Sequence, residues 1–311
     1  MEPAVTIGIP VYNEERFVGE ALASAAEQGA VVIVSDNGSS DGTRRECERA
    51  SRANRLIHYV RHERNLGAAW NFKYCLHNAA TPYFMWLGGH DMLPLGYVRT
   101  LTAALDRNPR AVLAYGAVQH IDINGQPLRR YEYRFAKLLE DDLALRRVTA
   151  TISYLADCTL IHGLLRREAL EASCLPEPFL GGDHVFLSKA AACGQFAYCP
   201  EVAYIRRTVH AEVSDQKQLR RIDPGAVLPQ GNPRARMAEE QLALYGDQGL
   251  GSWCSRTLWK VNARYQLVRR FSPWPASSAV EALLNQALFL VARVVHRVRQ
   301  LFQRQVGAAD T

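Results

Sequence analysis

Apolar residues in the first third of the chain come in short continuous runs, separated by stretches with helical spacing. Residues 4–11 (Ala-Val-Thr-Ile-Gly-Ile-Pro-Val) are apolar or β-branched at almost every position, which predicts a strand buried on both faces. Pro10 has no amide hydrogen to donate and is expected to stop the ladder there. The period then changes: Phe17, Val18, Ala21, Leu22 and Ala25 fall on one face of a helix reaching about Gln28. Residues 31–34, 57–61 and 83–87 repeat the strand signal, and helices are expected between them, one starting near Thr43 and one reaching about Asn78. Four strands alternating with helices predict an α/β fold with a mostly parallel sheet and right-handed crossovers.

The later pattern is mixed. A helix over 97–108, a strand over 111–120, a hairpin turn at Asp122 to Gly125 and a charged helix or loop over 136–150 are expected in turn. Residues 153–165 are apolar, Arg166-Arg167-Glu168 opens another helix, a helix over 185–193 ends at Gly194, and 198–206 reads as a strand. Residues 215–235 are polar and rich in Pro and Gly, which predicts a flexible loop able to cover a site. The pattern divides the chain into a main domain over 1–214 with halves 1–95 and 96–214, a loop or linker over 215–250, and a basic amphipathic helical tail over 251–311. Within the tail, 283–295 is strongly apolar, but Asn285, Gln286 and Arg293 interrupt a clean span of about 20 residues. Arg293, Arg297, Arg299 and Arg304 cluster at its end, so 278–304 reads equally as a helix lying on an anionic membrane surface or as one packed on the domain or a partner.

Composition narrows the picture. With 311 residues and 48% hydrophobic content the chain can bury a full core, and disorder is not the expectation. The net charge of +6 suits a polyanion, an anionic membrane surface or a phosphorylated substrate, and much of the excess is arginine after residue 200. Seven cysteines without a Cys-x-x-Cys pair read as reduced core thiols of a cytoplasmic protein. The first residues run directly into a strand without a basic leader or apolar signal core, so export is not expected. No Gly-x-Gly-x-x-Gly or Walker loop is present, which argues against the usual dinucleotide and P-loop sites.

Candidate chemistry concentrates where strands end. The fourth strand runs into Gly88-Gly89-His90-Asp91, which places polar groups beyond its carboxyl end, where ligands of open α/β sheets bind. Glycines admit close approach of a ligand, and an imidazole beside a carboxylate can hold a divalent cation; a Gly-Gly turn with an adventitious His and Asp fits the same residues. Asp36 and Asp41 in the polar loop after the second strand, and Asn65 and Asn71 around the third helix, are candidates for ligand contact or for simple caps and turns. Asp183 and His184 follow another glycine pair, with Asp183 also placed to cap a helix.

Taken in order, Ile9-Pro10-Val11-Tyr12-Asn13-Glu14, the 34–43 loop Val-Ser-Asp-Asn-Gly-Ser-Ser-Asp-Gly-Thr, Asn65-Leu66-Gly67 with Asn71, and the strand ending in His90-Asp91 resemble the family 2 glycosyltransferases of GT-A fold. The likeness continues through Gly182-Asp183 and Arg206-Arg207 to His210, covering roughly residues 4–214. It implies an inverting enzyme that moves a sugar from a nucleotide-diphosphate donor to a glycan or lipid-linked glycan in bacterial surface polysaccharide synthesis, cytoplasmic or peripheral at the inner membrane face, without nucleic acid. By resemblance, Pro10, Tyr12, Asn13 and Glu14 border the nucleobase and Asp36 accepts from base or ribose. Asn65, Gly67, Asn71 and Gly89 lie beneath the diphosphate and sugar, and Arg206 or Arg207 meets the leaving group. Asp183 matches the general base, and Asp91, His90 and His210 match ligands of Mn²⁺ or Mg²⁺. One departure stands out: many members have Asp-x-Asp-Asp where this chain has Gly88-Gly89-His90-Asp91, so the resemblance also admits a noncatalytic nucleotide-sugar or glycan binding subunit.

Overall fold

The structure, a computed structural model, describes residues 3–155, 157–169, 178–209, 214–227 and 235–247. Its first half follows the alternation read from the chain: β1 (Val5–Val11), α1 (Val18–Ala26), β2 (Val31–Asp36), α2 (Thr43–Ala53), β3 (Ile57–Arg61), α3 (Ala68–His77) and β4 (Tyr83–Trp86). After α4 (Tyr97–Arg107) come the long β5 (Ala111–Ile121), the hairpin strand β6 (Pro127–Tyr131), and the helices α5 (Ala136–Leu139) and α6 (Ala144–Tyr154). A three-residue β7 (Leu164–Arg166), α7 (Gly182–Cys193) and β8 (Gln195–Arg207) complete the sheet.

The strands form one sheet in the order β3-β2-β1-β4-β7-β5-β6, with β8 paired alongside β5. Strands β1 to β4 pair in parallel, as does β8 with β5, whereas β7 runs antiparallel to both β4 and β5. This short strand joins the two halves, yet three residues are too few to carry a period, so the sequence shows only an apolar stretch there.

Pro10 does not end β1, contrary to expectation: pairing continues through Pro10 opposite Ser35 to Val11 opposite Asp36. Gly8 points its carbonyl at Leu87, so by the two-residue alternation Pro10 faces the β4 side as well. β4 pairs with β1 only as far as Gly8, and the missing amide hydrogen therefore removes no rung.

The same alternation distributes the core. Tyr83, Met85 and Leu87 join the cluster under α1 and α4, while Phe84 and Trp86 join the one under α3 and α7. The described cysteines behave as thiols: Cys47, Cys75 and Cys199 are buried and none is bridged.

Beyond residue 214 the chain is helical where it was read as a flexible loop: α8 (Asp215–Ile222) and α9 (Ala235–Asp247) both pack back on the domain. Ser214 caps α8 by accepting from the Lys217 amide, and Leu219 is its buried anchor. Two apolar residues in eight, Leu219 and Ile222, give almost no periodic signal, and the flanking Pro and Gly hid the helix. α9 is held by buried Met237 against Gly181 and by Gln241 donating to Ser188 of α7. Among the described residues no helix is long and apolar enough to cross a membrane. His210 and the arginine-rich 278–304 segment lie outside the described residues.

Gly67 makes the docking of α8 possible. Its φ of 92° lies in the left-handed region, and an added Cβ would stand 2.3 Å from the Ile222 carbonyl oxygen. Gly67→Ala is expected to cost about 2 kcal/mol and to push α8 off α3, seen as a lower denaturation midpoint and new proteolysis near residue 222.

Candidate active site

The carboxyl ends of β1, β2, β4 and β8 converge on a cleft of about 950 Å³. It takes in Pro10, Tyr12, Asn13 and Glu14 after β1, Asn65 and Asn71 around α3, Gly89, His90 and Asp91 after β4, and Arg206 at the end of β8. Tyr12 is 46% exposed on its rim, an aromatic face open to solvent. A second cleft of about 800 Å³ lies at the amino ends of β5 and β8, where ion pairs such as Arg110–Asp142 and Arg146–Asp141 occupy the charged groups.

Several expected contact residues make hydrogen bonds that hold the cleft together. Asp36 is fully buried, accepting from the Ser39 amide at 2.8 Å and the Tyr59 hydroxyl at 2.6 Å, with Arg61 at 3.9 Å. It shapes the loop after β2, whose Asn37 reaches the cleft wall in its place. Asn13, in the left-handed region at φ 56°, donates its amide to Ser39 and accepts from the Ser40 amide, while the Glu14 amide donates to Thr43. The loops after β1 and β2 are thereby zipped together. Asn65 accepts from Asn37 and from the Gly67 amide. Asn71, 2% exposed, accepts from the Ser35 hydroxyl and donates to the carbonyls of Ser35 and Val11. Asn71→Ala would remove these bonds between α3 and the ends of β1 and β2, leaving the Ser35 hydroxyl its bond to His62 and the Val11 carbonyl its bond from the Asn37 amide, and a loss of about 1 to 2 kcal/mol in urea-monitored stability is expected.

At the end of β4 the residues form a closed knot. The Gly88 amide donates to the Tyr204 hydroxyl, which donates to Asp91 at 2.7 Å, and the other Asp91 oxygen accepts from the Arg207 amide at 2.8 Å. Asp91 is 4% exposed. His90 pairs through Nδ1 with Glu14 at 2.9 Å. Burial opposes the charge of His90, but the Glu14 hydrogen bond and the nearby carboxylates prevail and raise its pKa.

These groups do not fit Mg²⁺ or Mn²⁺, which seek several free oxygen ligands. Each Asp91 oxygen already accepts one hydrogen bond, the residue is 4% exposed, and the preceding positions are glycines, so one buried carboxylate stands where several oxygen ligands are needed. An added Cβ on Gly88 would stand 2.5 Å from the Asp91 carboxylate, so no side chain is accommodated beside it. Of the expected ligand set, Asp91 is bonded to Tyr204 and Arg207, His90 is paired with Glu14, and His210 lies outside the described residues.

Successive residues of β8 face opposite ways. Arg206 is 41% exposed at the cleft, donating to Thr159 and standing 3.7 Å from Asp157. Arg207, expected as an alternative contact to the leaving group, is instead 4% exposed: it pairs with Glu20 at 2.6 Å, donates to the carbonyls of His90 and Ile123 and lies over the Phe17 ring. Its task is internal because its side chain points away from the cleft.

A smaller pocket of about 280 Å³ adjoins the cleft, and Ala68, Phe72, His162 and Arg206 line both. Asp183, in the first turn of α7, lines the smaller pocket. The Cys158, Asp183 and His184 ligand atoms lie within 4.8 Å of one another there, a soft, mixed set unlike the oxygen cages of Mg²⁺.

His162 stands at the junction, stacked on Tyr204 at 4.9 Å with Nδ1 3.1 Å from the Trp86 carbonyl. Nothing in Leu160-Ile161-His162-Gly163 flags it in the sequence. Burial lowers its pKa, so the unfolded chain takes up a proton first as pH falls below about 6.5. Its contribution to stability is full above that value and is lost on acidification toward the folded pKa. His162→Gln is expected to flatten the acid limb of a plot of stability against pH.

The sequence reading also missed three cations. Lys217, Arg220 and Arg221 of α8 all line the large cleft, hidden in what read as a loop.

Comparison with known proteins agrees with this geometry. The family model for glycosyl transferase family 2 matches residues 6–172, more than half of the chain. An uncharacterized glycosyltransferase of Rickettsia bellii (strain RML369-C) is 31% identical over 144 residues, 45% of this chain and 20% of the relative, so the match spans about a fifth of that protein. Among solved structures, S. aureus TarS 1-349 in complex with UDP-GlcNAc superimposes with a TM-score of 0.63 at 16% identity, covering 86% of this chain and 73% of that one. The mannosyltransferase PcManGT from Pyrobaculum calidifontis, in complex with GDP-Man and Mn²⁺, gives a TM-score of 0.50 at 16% identity over 94% of this chain and 83% of its own. The fold is GT-A, and the chain belongs to glycosyl transferase family 2.

Proposed function

We propose that this protein is an inverting glycosyltransferase that moves a sugar from a nucleotide-diphosphate sugar to a hydroxyl of a glycan or lipid-linked glycan, in bacterial surface polysaccharide synthesis at the cytoplasmic side of the membrane. One observation carries the reading: the large cleft and the Asp183 pocket meet at Phe72, His162 and Arg206, so a donor in one and an acceptor in the other share a wall. Similarity to proteins holding UDP-GlcNAc and GDP-Man supports the donor class.

In this reading the nucleobase packs against Tyr12, and the diphosphate extends past Gly89 toward Arg206. Asp183 takes the acceptor hydroxyl proton while the acceptor oxygen bonds the anomeric carbon. The bond from that carbon to the diphosphate breaks on the opposite side, and the nucleoside diphosphate leaves with the electron pair. No step is assigned to a divalent cation, because the groups at 88–91 do not fit one. The test is release of nucleoside diphosphate from a panel of UDP, GDP and dTDP sugars, with glycan and lipid-linked acceptors supplied. Turnover of one donor supports the proposal; nucleotide-sugar binding without turnover across the acceptors would identify a noncatalytic binding subunit instead.

A further inference from the structure

A departing nucleoside diphosphate needs positive charge near its phosphates. The end of β4 is poorly equipped to supply it through a metal ion: it brings a single aspartate, Asp91, which is 4% exposed and already accepts from Tyr204 and Arg207 on its two oxygens, and one oxygen of Glu14 is engaged by His90. Gly88 and Gly89 leave no room for further ligands, since a Cβ on Gly89 would also crowd Val11 at 2.9 Å.

Positive charge enters from the other wall. Lys217, Arg220 and Arg221 sit at positions i, i+3 and i+4 of α8, on the face opposite buried Leu219. All three are exposed and line the same cleft as Gly89 and His90. No described carboxylate pairs with any of them, whereas the helix α2 answers Arg44, Arg49 and Arg52 with Glu46 and Glu48. The two remaining acidic groups on the cleft, Glu15 and Asp41, accept from backbone amides of the loops they close. Helix α8 is held against the start of α3 at Gly67, so its cations are fixed at the cleft rather than carried on a loose arm.

We infer that Lys217, Arg220 and Arg221 of α8, together with Arg206 of β8, form a diphosphate-binding site that does the work of a divalent cation, so that this protein binds its nucleotide without metal. The inference rests on the proposed nucleotide-sugar function and specifies how that cleft holds its donor.

The test is calorimetric titration of the full chain with UDP, GDP and dTDP, in EDTA and again in Mn²⁺. One nucleotide is expected to bind with the same Kd in both buffers. Lys217→Gln, Arg220→Gln and Arg221→Gln, which keep helix propensity, should each weaken it about tenfold, reduce the salt dependence of Kd, and leave affinity for the free nucleoside unchanged. Arg44→Gln, on α2, is the control for a general charge effect, and far-ultraviolet circular dichroism confirms that the helices persist. Binding that appears only with Mn²⁺, or is unaffected by the three α8 substitutions, overturns the inference while the glycosyltransferase reading stands. Failure of every nucleotide to bind in either buffer overturns both.

Discussion

Asp183→Asn is expected to lower the rate of sugar transfer by a factor of about 10² to 10⁴ while leaving nucleotide affinity unchanged. The carboxylate lines the pocket beside the donor cleft rather than the cleft itself, so its loss should be felt by the acceptor hydroxyl and not by the nucleotide. Asn preserves size and can still accept hydrogen bonds, as Asp183 does through its oxygen from the His184 amide, but it cannot take a proton at neutral pH. Steady-state kinetics with a saturating donor, paired with calorimetry of nucleotide binding, separates the two effects. An equal fall in nucleotide affinity would show that Asp183 holds the donor instead.

Asp91→Ala should act on stability before chemistry. The substitution strands the Tyr204 hydroxyl and the Arg207 amide in a nearly water-free setting, at a combined cost of about 3 kcal/mol, with the melting temperature falling by roughly 10 °C. Burial and the Asp91 carboxylate keep the Tyr204 hydroxyl protonated and therefore a donor, so the bond is present across the physiological range. A metal ligand would behave in the opposite way: the melting temperature would hold and a Mn²⁺ effect on binding would vanish. Differential scanning calorimetry with and without Mn²⁺ distinguishes the two, and the expected result is a large shift that is the same in both.

Much of the fold was legible because its first half is locally consistent. The run at 31–34 reads as a buried strand and 57–61 as a strand, and their polar exits read as loops at one sheet edge. Many of the motif residues line one cleft, whereas Asp36, Gly67 and Arg207 do not and Asp183 lines the adjoining pocket, and the task of each was not readable from its type alone. Asp36, Asn71, Asp91 and Arg207 have the chemistry of ligand contacts, yet most of their partners are residues 23 to 187 positions away that only the folded chain brings together. Arg206 and Arg207 are indistinguishable as an Arg-Arg pair; strand alternation alone sends one to the cleft and the other to Glu20. Helix α8 was missed for a different reason, since its single buried Leu219 gives no stripe and its stability comes from docking on the domain.

The 2.5 Å approach of a Gly88 Cβ to Asp91 also bears on how this sequence can change. An acidic residue cannot enter at position 88 while Asp91 keeps its inward bonds, and Asp91 cannot turn outward without stranding Tyr204 and Arg207. Each single substitution toward a metal-binding strand end therefore passes through a less stable protein, and the route opens only when both positions shift together. The glycine pair works as a ratchet on this strand end, because a single substitution at either position meets a stability cost before it gains any new chemistry.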